Sequence, residues 1–424
     1  MMSDTWLKYK FSDFVEINPT IRFSKDEKYS FVEMKDLNEN NKFTSPSTEK
    51  SVTGGARFEE KDTLFARITP CLQNGKICQV KGLKNNVGFG STEFLIFRGK
   101  NGISDTDFVY YLSREEGVRK FAEQNMIGTS GRQRVVKDAF HNLILELPPL
   151  KEQKAIAEIL SSLDDKIELN LQTNKTLEEM ANALYKHWFV DFGPFRDGKF
   201  FKSDLQLIPE GWELKKFSEL YDLRKGLSYR SKDYADDGIP MINLKCVDRN
   251  GGFRYDGIKY YKGEYKSQHI VEAGDLLIAM TDLTQDRSVL GSPLFAPNIK
   301  TKSHVIASLD ISILKQIDKN LPNLNLYFYY LMRTPKYHEY ILGFGNGSTV
   351  VHLDKLGIVN YKALLPSANV IEQFNSHVSV IRNSIELNID ENISLKETRD
   401  YLLSKLISGE IRVKEASKKV KEVL

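Results

Sequence analysis

Apolar positions along the chain follow two kinds of pattern, and the two kinds alternate. In residues 1–148 and again in 212–366, short runs such as DTLFARI, TEFLIFR, DLLIAM and VIASLDISIL alternate or run apolar between clusters of Gly, Asn and Asp. That pattern predicts β-rich segments punctuated by turns. Within each segment an aromatic stretch of helical spacing, DFVYYLSREEGVRKFAEQ in one and LNLYFYYLMRTPKYHEYI in the other, precedes a Gly-rich loop. Its tyrosines are read as core. The other pattern starts at Ile156 and steps by four and three through Leu160, Leu163, Ile167, Asn170, Asn174, Leu177, Ala181, Leu184 and Trp188, which is a heptad seam. Adding 218 to each number gives Phe374, Val378, Ile381, Ile385, Asn388, Asn392, Leu395, Arg399, Leu402 and Leu406, so the seam recurs with both asparagines.

The globular segments repeat as well. Trp6, Phe11 and Ser12 recur as Trp212, Phe217 and Ser218, Asp62 to Ala66 as Asp275 to Ala279, and Tyr110, Tyr111 and Leu112 as Tyr329, Tyr330 and Leu331. GTSGRQRV has a loose counterpart in GNGSTVVHL, and Ile-Glu-Leu-Asn at 167–170 is identical at 385–388. Conserved order of this kind marks an internal duplication. The boundaries expected are a first globular domain at 1–148, a central helix and linker at 149–211, a second globular domain at 212–366, and a distal helix with a C-terminal tail at 367–424.

Asn at a seam position needs a partner across the interface and fixes register, so two such layers in both helices predict that the helices pack on each other. A helix of about 40 residues carries the chain about 60 Å from the first domain. An antiparallel pair is then the economical arrangement, with Asn170 facing Asn392 and Asn174 facing Asn388. The fold expected is α+β: two globular domains in tandem, separated by two long antiparallel helices, with a pseudo-twofold internal repeat.

Composition changes this picture little. The 424 residues are 41% hydrophobic and 28% charged with net charge +3, ordinary values for a globular protein. Basic residues outnumber acidic ones slightly in the globular segments and not in the helical ones, which permits local DNA-binding patches. No run of about eighteen apolar residues exists and the N-terminus lacks the features of a signal peptide, so the chain is expected in the cytoplasm. Cys71, Cys78 and Cys246 form no CxxC pair and offer no zinc site.

Motifs for chemistry are missing: there is no GxxxxGK[ST] loop and no HExxH. DFGPF at 191–195 has a superficial likeness to the (N/D)PP(Y/F) loop of amino-methyltransferases, but Gly193 stands for the first proline and no cofactor-binding unit accompanies it. It is read as a turn, and GFGNG at 343–347 as a surface loop. What remains suits DNA reading. Thr129 and Ser130 can bond phosphate, and Arg132, Gln133 and Arg134 can bond guanine or adenine edges. Lys225, Ser228, Arg230 and Lys232 cluster after the first strand of the second half, and TDLTQDR offers Thr284, Gln285 and Arg287. Each set is weak alone; their recurrence in both halves raises them.

With these residues in place, the chain resembles the specificity subunits of type I restriction-modification systems over essentially its whole length. PPLKEQKAIAEILSSLDDKIELN from residue 148 is similar to that family's central conserved region, and LFARITPCLQNGK at 64–76 and GSTEF at 90–94 to one class of its target-recognition domains. The distal copy has PSANVIEQ where the central one has PPLKEQ. The resemblance implies a subunit with no catalytic centre that binds a bipartite double-stranded DNA target, one half-site per domain. It implies two modification subunits that bind S-adenosylmethionine and methylate adenine, and two restriction subunits that use ATP and Mg; no cofactor is expected on this chain. It also implies DNA-facing roles for Arg67, Thr69, Asn74, Lys76, Ser91, Thr92 and the 129–134 loop. In the second domain AMTDLTQDR replaces ARITPCLQNGK and nothing equals GSTEF, so its half-site is expected to differ. A fused methyltransferase and a coiled-coil scaffold are the competing classes, separable by a methylation assay and by a DNA-binding assay.

Overall fold

A computed structural model of the chain describes residues 6–24, 27–204, 206–249, 252–284, 286–299 and 304–424. Two compact units divide inside both long helices: residues up to Asn174 with Glu386–Leu424 form one, and Lys175–Ile385 the other. Each unit therefore owns one sheet system and one half of each helix.

In the first unit, strands Thr63–Ala66, Ile77–Val80 and Phe94–Gly99 are apolar and buried along most of their length, as expected of central strands covered on both faces. They lie in a five-stranded sheet in the order Val15–Ile17, Phe94–Gly99, Thr63–Ala66, Ile77–Val80, Phe43–Thr44. A four-stranded sheet runs Thr48–Ser51, Lys28–Val32, Val87–Gly90, Ala56–Glu59. Helix Thr106–Arg114, capped by Asp105 accepting from the Phe108 amide at 2.9 Å, brings Tyr110 and Tyr111 into the core at 0% exposure.

The second unit repeats this plan. Tyr221–Lys225, Ile311–Gln316, Leu276–Ala279 and Pro293–Phe295 form its central sheet in that order. A five-stranded sheet runs Tyr234–Ala235, Lys259–Tyr261, Ile239–Ile242, Val305–Ala307, Ile270–Val271. Helix Asn325–Met332 buries Tyr329 and Tyr330, the counterparts of Tyr110 and Tyr111.

The central helix spans Leu150–Tyr185 and the distal helix Ala368–Ile407. Among residues of the first unit, Asn170 Nδ2 donates to Asn392 Oδ1 at 2.9 Å and Asn388 Nδ2 to Asn174 Oδ1 at 2.7 Å, with Ile167 and Leu395 buried; in the second unit the seam positions Ile385 and Leu177 are buried and half-buried. Rising numbers on one helix meet falling numbers on the other, so the pair is antiparallel. Two polar contacts went unread in the sequence. Asp164 and Arg399, both buried, form an ion pair of 2.7 Å that also accepts the Tyr111 hydroxyl at 2.6 Å. In the second unit Glu178 pairs with Arg382 at 2.6 Å, with the Tyr329 and Tyr330 hydroxyls each 3.4 Å from its carboxylate. Arg399 had been read as a seam position only; there a buried guanidinium persists because a carboxylate on the facing helix meets it.

PPLKEQ also has a structural reason. Gln153, 1% exposed, donates to the carbonyls of Pro148 and Ile103 and accepts from the Asp105 amide, which fastens the start of the central helix to the globular domain. Ile371, fully buried, holds the corresponding place in the distal helix. After the central helix comes a π-helical turn at Lys186–Val190, and the DFGPF segment that follows it ends in a 3-10 turn at Gly193–Phe195. Among the described residues no helix is long and apolar enough to cross a membrane, and no group of three or more His, Cys, Asp or Glu could hold a metal ion. Burial pushes the thiols of Cys78 and Cys246 up to about 12, which marks them as unreactive core groups.

Candidate nucleic-acid interface

Thr63–Ala66 ends at the point where three segments meet. The Ala66 amide donates to the Lys76 carbonyl at 3.1 Å, the Arg67 amide to the Glu93 carbonyl at 3.0 Å, and the Val135 amide to the Arg67 carbonyl at 2.9 Å. This backbone junction gathers the LFARITPCLQNGK segment, the GSTEF turn and the hairpin Met126–Ile127 with Arg134–Val135. Glu93 is at its centre. Its carboxylate accepts three hydrogen bonds from Arg134 at 2.8 to 2.9 Å and lies 3.6 Å from Arg67 Nε. The hydrogen bond to Glu93 raises the Arg134 pKa above its ordinary value. Glu93 was not singled out in the sequence, although a carboxylate inside a motif otherwise read for DNA donors is a signal of that kind.

The other candidates of the first domain divide by what holds them. Thr69 is buried, and its hydroxyl accepts from the Gln133 amide at 3.0 Å, so it shapes the turn. Ser91 accepts from the Glu93 amide at 3.1 Å and likewise shapes a turn. Lys76 donates to the Met34 carbonyl at 3.0 Å, which ties up the ammonium group expected to meet phosphate. Asn74, Thr92, Thr129, Ser130 and Arg132 are exposed, and Gln133 is half-buried. Gly128, at φ +121°, starts the turn that displays Thr129 to Arg132. A recess of about 420 Å³ adjoins, lined by Arg67, Thr92, Arg57 and Asn18 among others.

The same junction is built in the second domain. The Ala279 amide donates to the Ser292 carbonyl at 3.0 Å, Met280 to Asp310 at 2.7 Å, and Leu353 to Met280 at 2.8 Å. These bonds align Met280 with Arg67, Asp310 with Glu93, and His352 with Arg134. The expectation that nothing equals GSTEF is thereby corrected. Ser308-Leu309-Asp310-Ile311 takes its place, with Ile311 donating back to Ser308 at 2.9 Å as Phe94 does to Ser91 at 3.3 Å. Backbone hydrogen bonding preserved the turn while its side chains changed, and identity searching misses such a match. Here strand Thr281–Asp282 joins hairpin Gly345–Asn346 and Val351–Leu353, and Gly347 at φ +117° starts the displayed turn.

TDLTQDR is shaped from within. Buried Asp282 accepts from the amides of Thr284, Val289 and Leu290 at 2.6 to 2.8 Å, and Thr284 accepts from the Ser288 amide at 3.1 Å. Arg287 is half-buried at φ +53°, and Gln285 lies outside the described residues. Lys225, Ser228, Arg230 and Lys232 are exposed. They sit near the junction, since Leu227 bridges Ser308 and its carbonyl accepts from the Leu309 amide at 2.8 Å.

Comparison with known proteins bears on this geometry. Residues 3–179 match the family model described as the type I restriction modification DNA specificity domain. The specificity subunit of type I restriction enzyme HindI of Haemophilus influenzae is 24% identical over 97% of this chain and 100% of its own length. That of type I restriction enzyme MjaIX of Methanocaldococcus jannaschii is 25% identical over 74% of this chain and 71% of its own. A solved type I restriction-modification S subunit from M. genitalium aligns over 96% of this chain and 97% of that one, at 13% identity and a TM-score of 0.49. Residues 3–179 thus match a type I restriction modification DNA specificity domain, and the chain as a whole is similar along nearly its full length to a type I restriction enzyme specificity subunit.

Proposed function

We propose that this chain is a type I restriction-modification specificity subunit that reads a bipartite DNA target, one half-site per globular domain, and recruits modification and restriction subunits to it. The observation that carries the reading is the duplicated junction, where one backbone scaffold presents Arg67, Glu93 and Arg134 in the first domain and Met280, Asp310 and His352 in the second. In the first domain the guanidinium groups held by Glu93 supply bidentate donors for base edges, and the exposed Thr129, Ser130 and Arg132 turn supplies phosphate contacts. In the second, His352, Thr284 and Arg287 face the bases, and Lys225, Arg230 and Lys232 meet the backbone. Neither set makes or breaks a covalent bond. S-adenosylmethionine, ATP and Mg belong to the partner subunits, two of each kind.

Methylome mapping of chains in which residues 1–148 are exchanged for another recognition domain tests this, in complex with modification subunits. The first half-site changes and the second persists. A change in both, or in neither, defeats the modular reading, and adenine methylation by the purified single chain defeats its non-catalytic part.

A further inference from the structure

Glu93 holds its two arginines unequally. Arg134 donates to the carboxylate through Nε and Nη2, and to the Arg132 carbonyl through Nη1 at 3.1 Å, so each of its three nitrogens already has a partner. Arg67 Nε lies 3.6 Å from the same carboxylate, longer than a hydrogen bond, and among the described residues its guanidinium has no hydrogen-bond partner. Arg67 lines the recess of about 420 Å³ with Thr92 and Arg57, and among the described residues no acidic side chain lines it. Arg57 is itself tied down, donating to the Ile21 carbonyl at 2.8 Å and lying over the Phe23 ring. The unspent fork of donors at this strand end is therefore that of Arg67, kept near an acid through Nε while its terminal nitrogens remain available.

The second junction offers no such fork. Met280 stands at the Arg67 position, and the Asp310 carboxylate accepts from the Thr281 hydroxyl at 2.8 Å. The same alignment sets Leu283 against Pro70 and Leu309 against Thr92, and these leucines are 64% and 37% exposed. One exposed leucine is ordinary. Two of them, each within three residues of a junction position and accompanying a half-buried methionine, make this tip apolar where its duplicate carries a guanidinium and a hydroxyl.

In the major groove guanine alone presents two acceptors side by side, N7 and O6, which a guanidinium fork meets bidentately, and thymine alone presents a methyl group. We propose that the base pair met by the first junction is G·C, read by Arg67, and that the base pair met by the second is A·T, read through the thymine methyl by Met280, Leu283 and Leu309. The inference rests on the reading of both junctions as DNA-facing and adds the bases to it.

Binding-site selection from random duplex DNA, with modification subunits bound to the full chain, first gives the target. Analogue duplexes then test each contact one base at a time by fluorescence anisotropy at fixed salt. 7-Deazaguanine, which lacks the N7 acceptor, weakens binding by the unaltered chain about tenfold at one position of the first half-site and has no effect there on the Arg67→Ala chain. Deoxyuridine, which lacks the thymine methyl, weakens binding about threefold at one position of the second half-site, and the loss disappears in a chain carrying Met280→Ala, Leu283→Ala and Leu309→Ala. Each variant keeps the response at the other half-site, which shows that it is folded and bound, and the two arms on the unaltered chain need no variant. A target without two separated half-sites overturns the bipartite reading and this inference together. Two half-sites of which the first has no responsive guanine, or the second no responsive thymine, overturn this inference alone, as does a response that persists undiminished in the matching variant.

Discussion

In the first domain the three positions that meet at the strand end are Arg67, Glu93 and Arg134, all charged; in the second the same backbone positions carry Met280, Asp310 and His352. The hydrogen bonds that build the junction agree between the two within a few tenths of an ångström. What the difference teaches is that the scaffold and the surface proposed to read DNA are separable. Main-chain bonds hold the segments in place whatever side chains they bear, so the side chains at the tip are free to differ. A similar division holds at the helices. Both units place an acid on the central helix opposite an arginine on the distal helix and next to tyrosine hydroxyls, but Asp164 and Arg399 have side chains 1% and 4% exposed while Glu178 and Arg382 are 20% and 13% exposed.

That last contrast predicts the largest effect. Arg399→Leu leaves Asp164 buried without its cation and costs about 3–5 kcal/mol, whereas Arg382→Leu leaves the wetter Glu178 and costs roughly 1–3 kcal/mol. Urea denaturation of the full chain compares them, and the double variant Asp164→Leu with Arg399→Leu recovers most of the larger loss. Equal costs would show that burial does not distinguish the two pairs.

A smaller effect separates the two proposed reading surfaces. Glu93→Gln removes the charge that orients both arginines and relaxes preference at the first half-site by roughly 1–3 kcal/mol for each base they contact. Asp310→Asn has no arginine pair to release, and it leaves the first half-site unchanged. Binding-site selection with modification subunits present reads both, and a Glu93→Gln chain with unaltered preference removes Glu93 from recognition. The smallest effect concerns what the halves share. Replacing Asn170, Asn174, Asn388 and Asn392 together by Leu stabilises the helix pair by about 1–2 kcal/mol while loosening its register. Thermal melting and cysteine cross-linking between helix positions measure the two consequences.

Much of the architecture was legible because duplication and heptad spacing are written in residue order. The asparagine layers could be paired from numbering alone, since a seam and a connection length constrain direction. The candidate site was legible only in part. GTSGRQR, LFARITPCLQNGK and GSTEF are segments that the backbone junction brings together, yet Lys76 and Thr69 are engaged with the chain itself, donating to Met34 and accepting from Gln133. Whether a polar side chain is spent inside the fold depends on which carbonyl or amide lies within about 3 Å of it, and spacing along the chain carries no such information.

By itself, then, the sequence determined the repeat and the alternation of β-rich domains with seam helices, because these depend on periodicity and order. Only the tertiary structure decided that Glu93 gathers two arginines, that SLDI stands where GSTEF does, and that Asp164 meets Arg399. Each of these joins residues far apart in the chain, through hydrogen bonds and desolvated charges whose energy depends on distance in space.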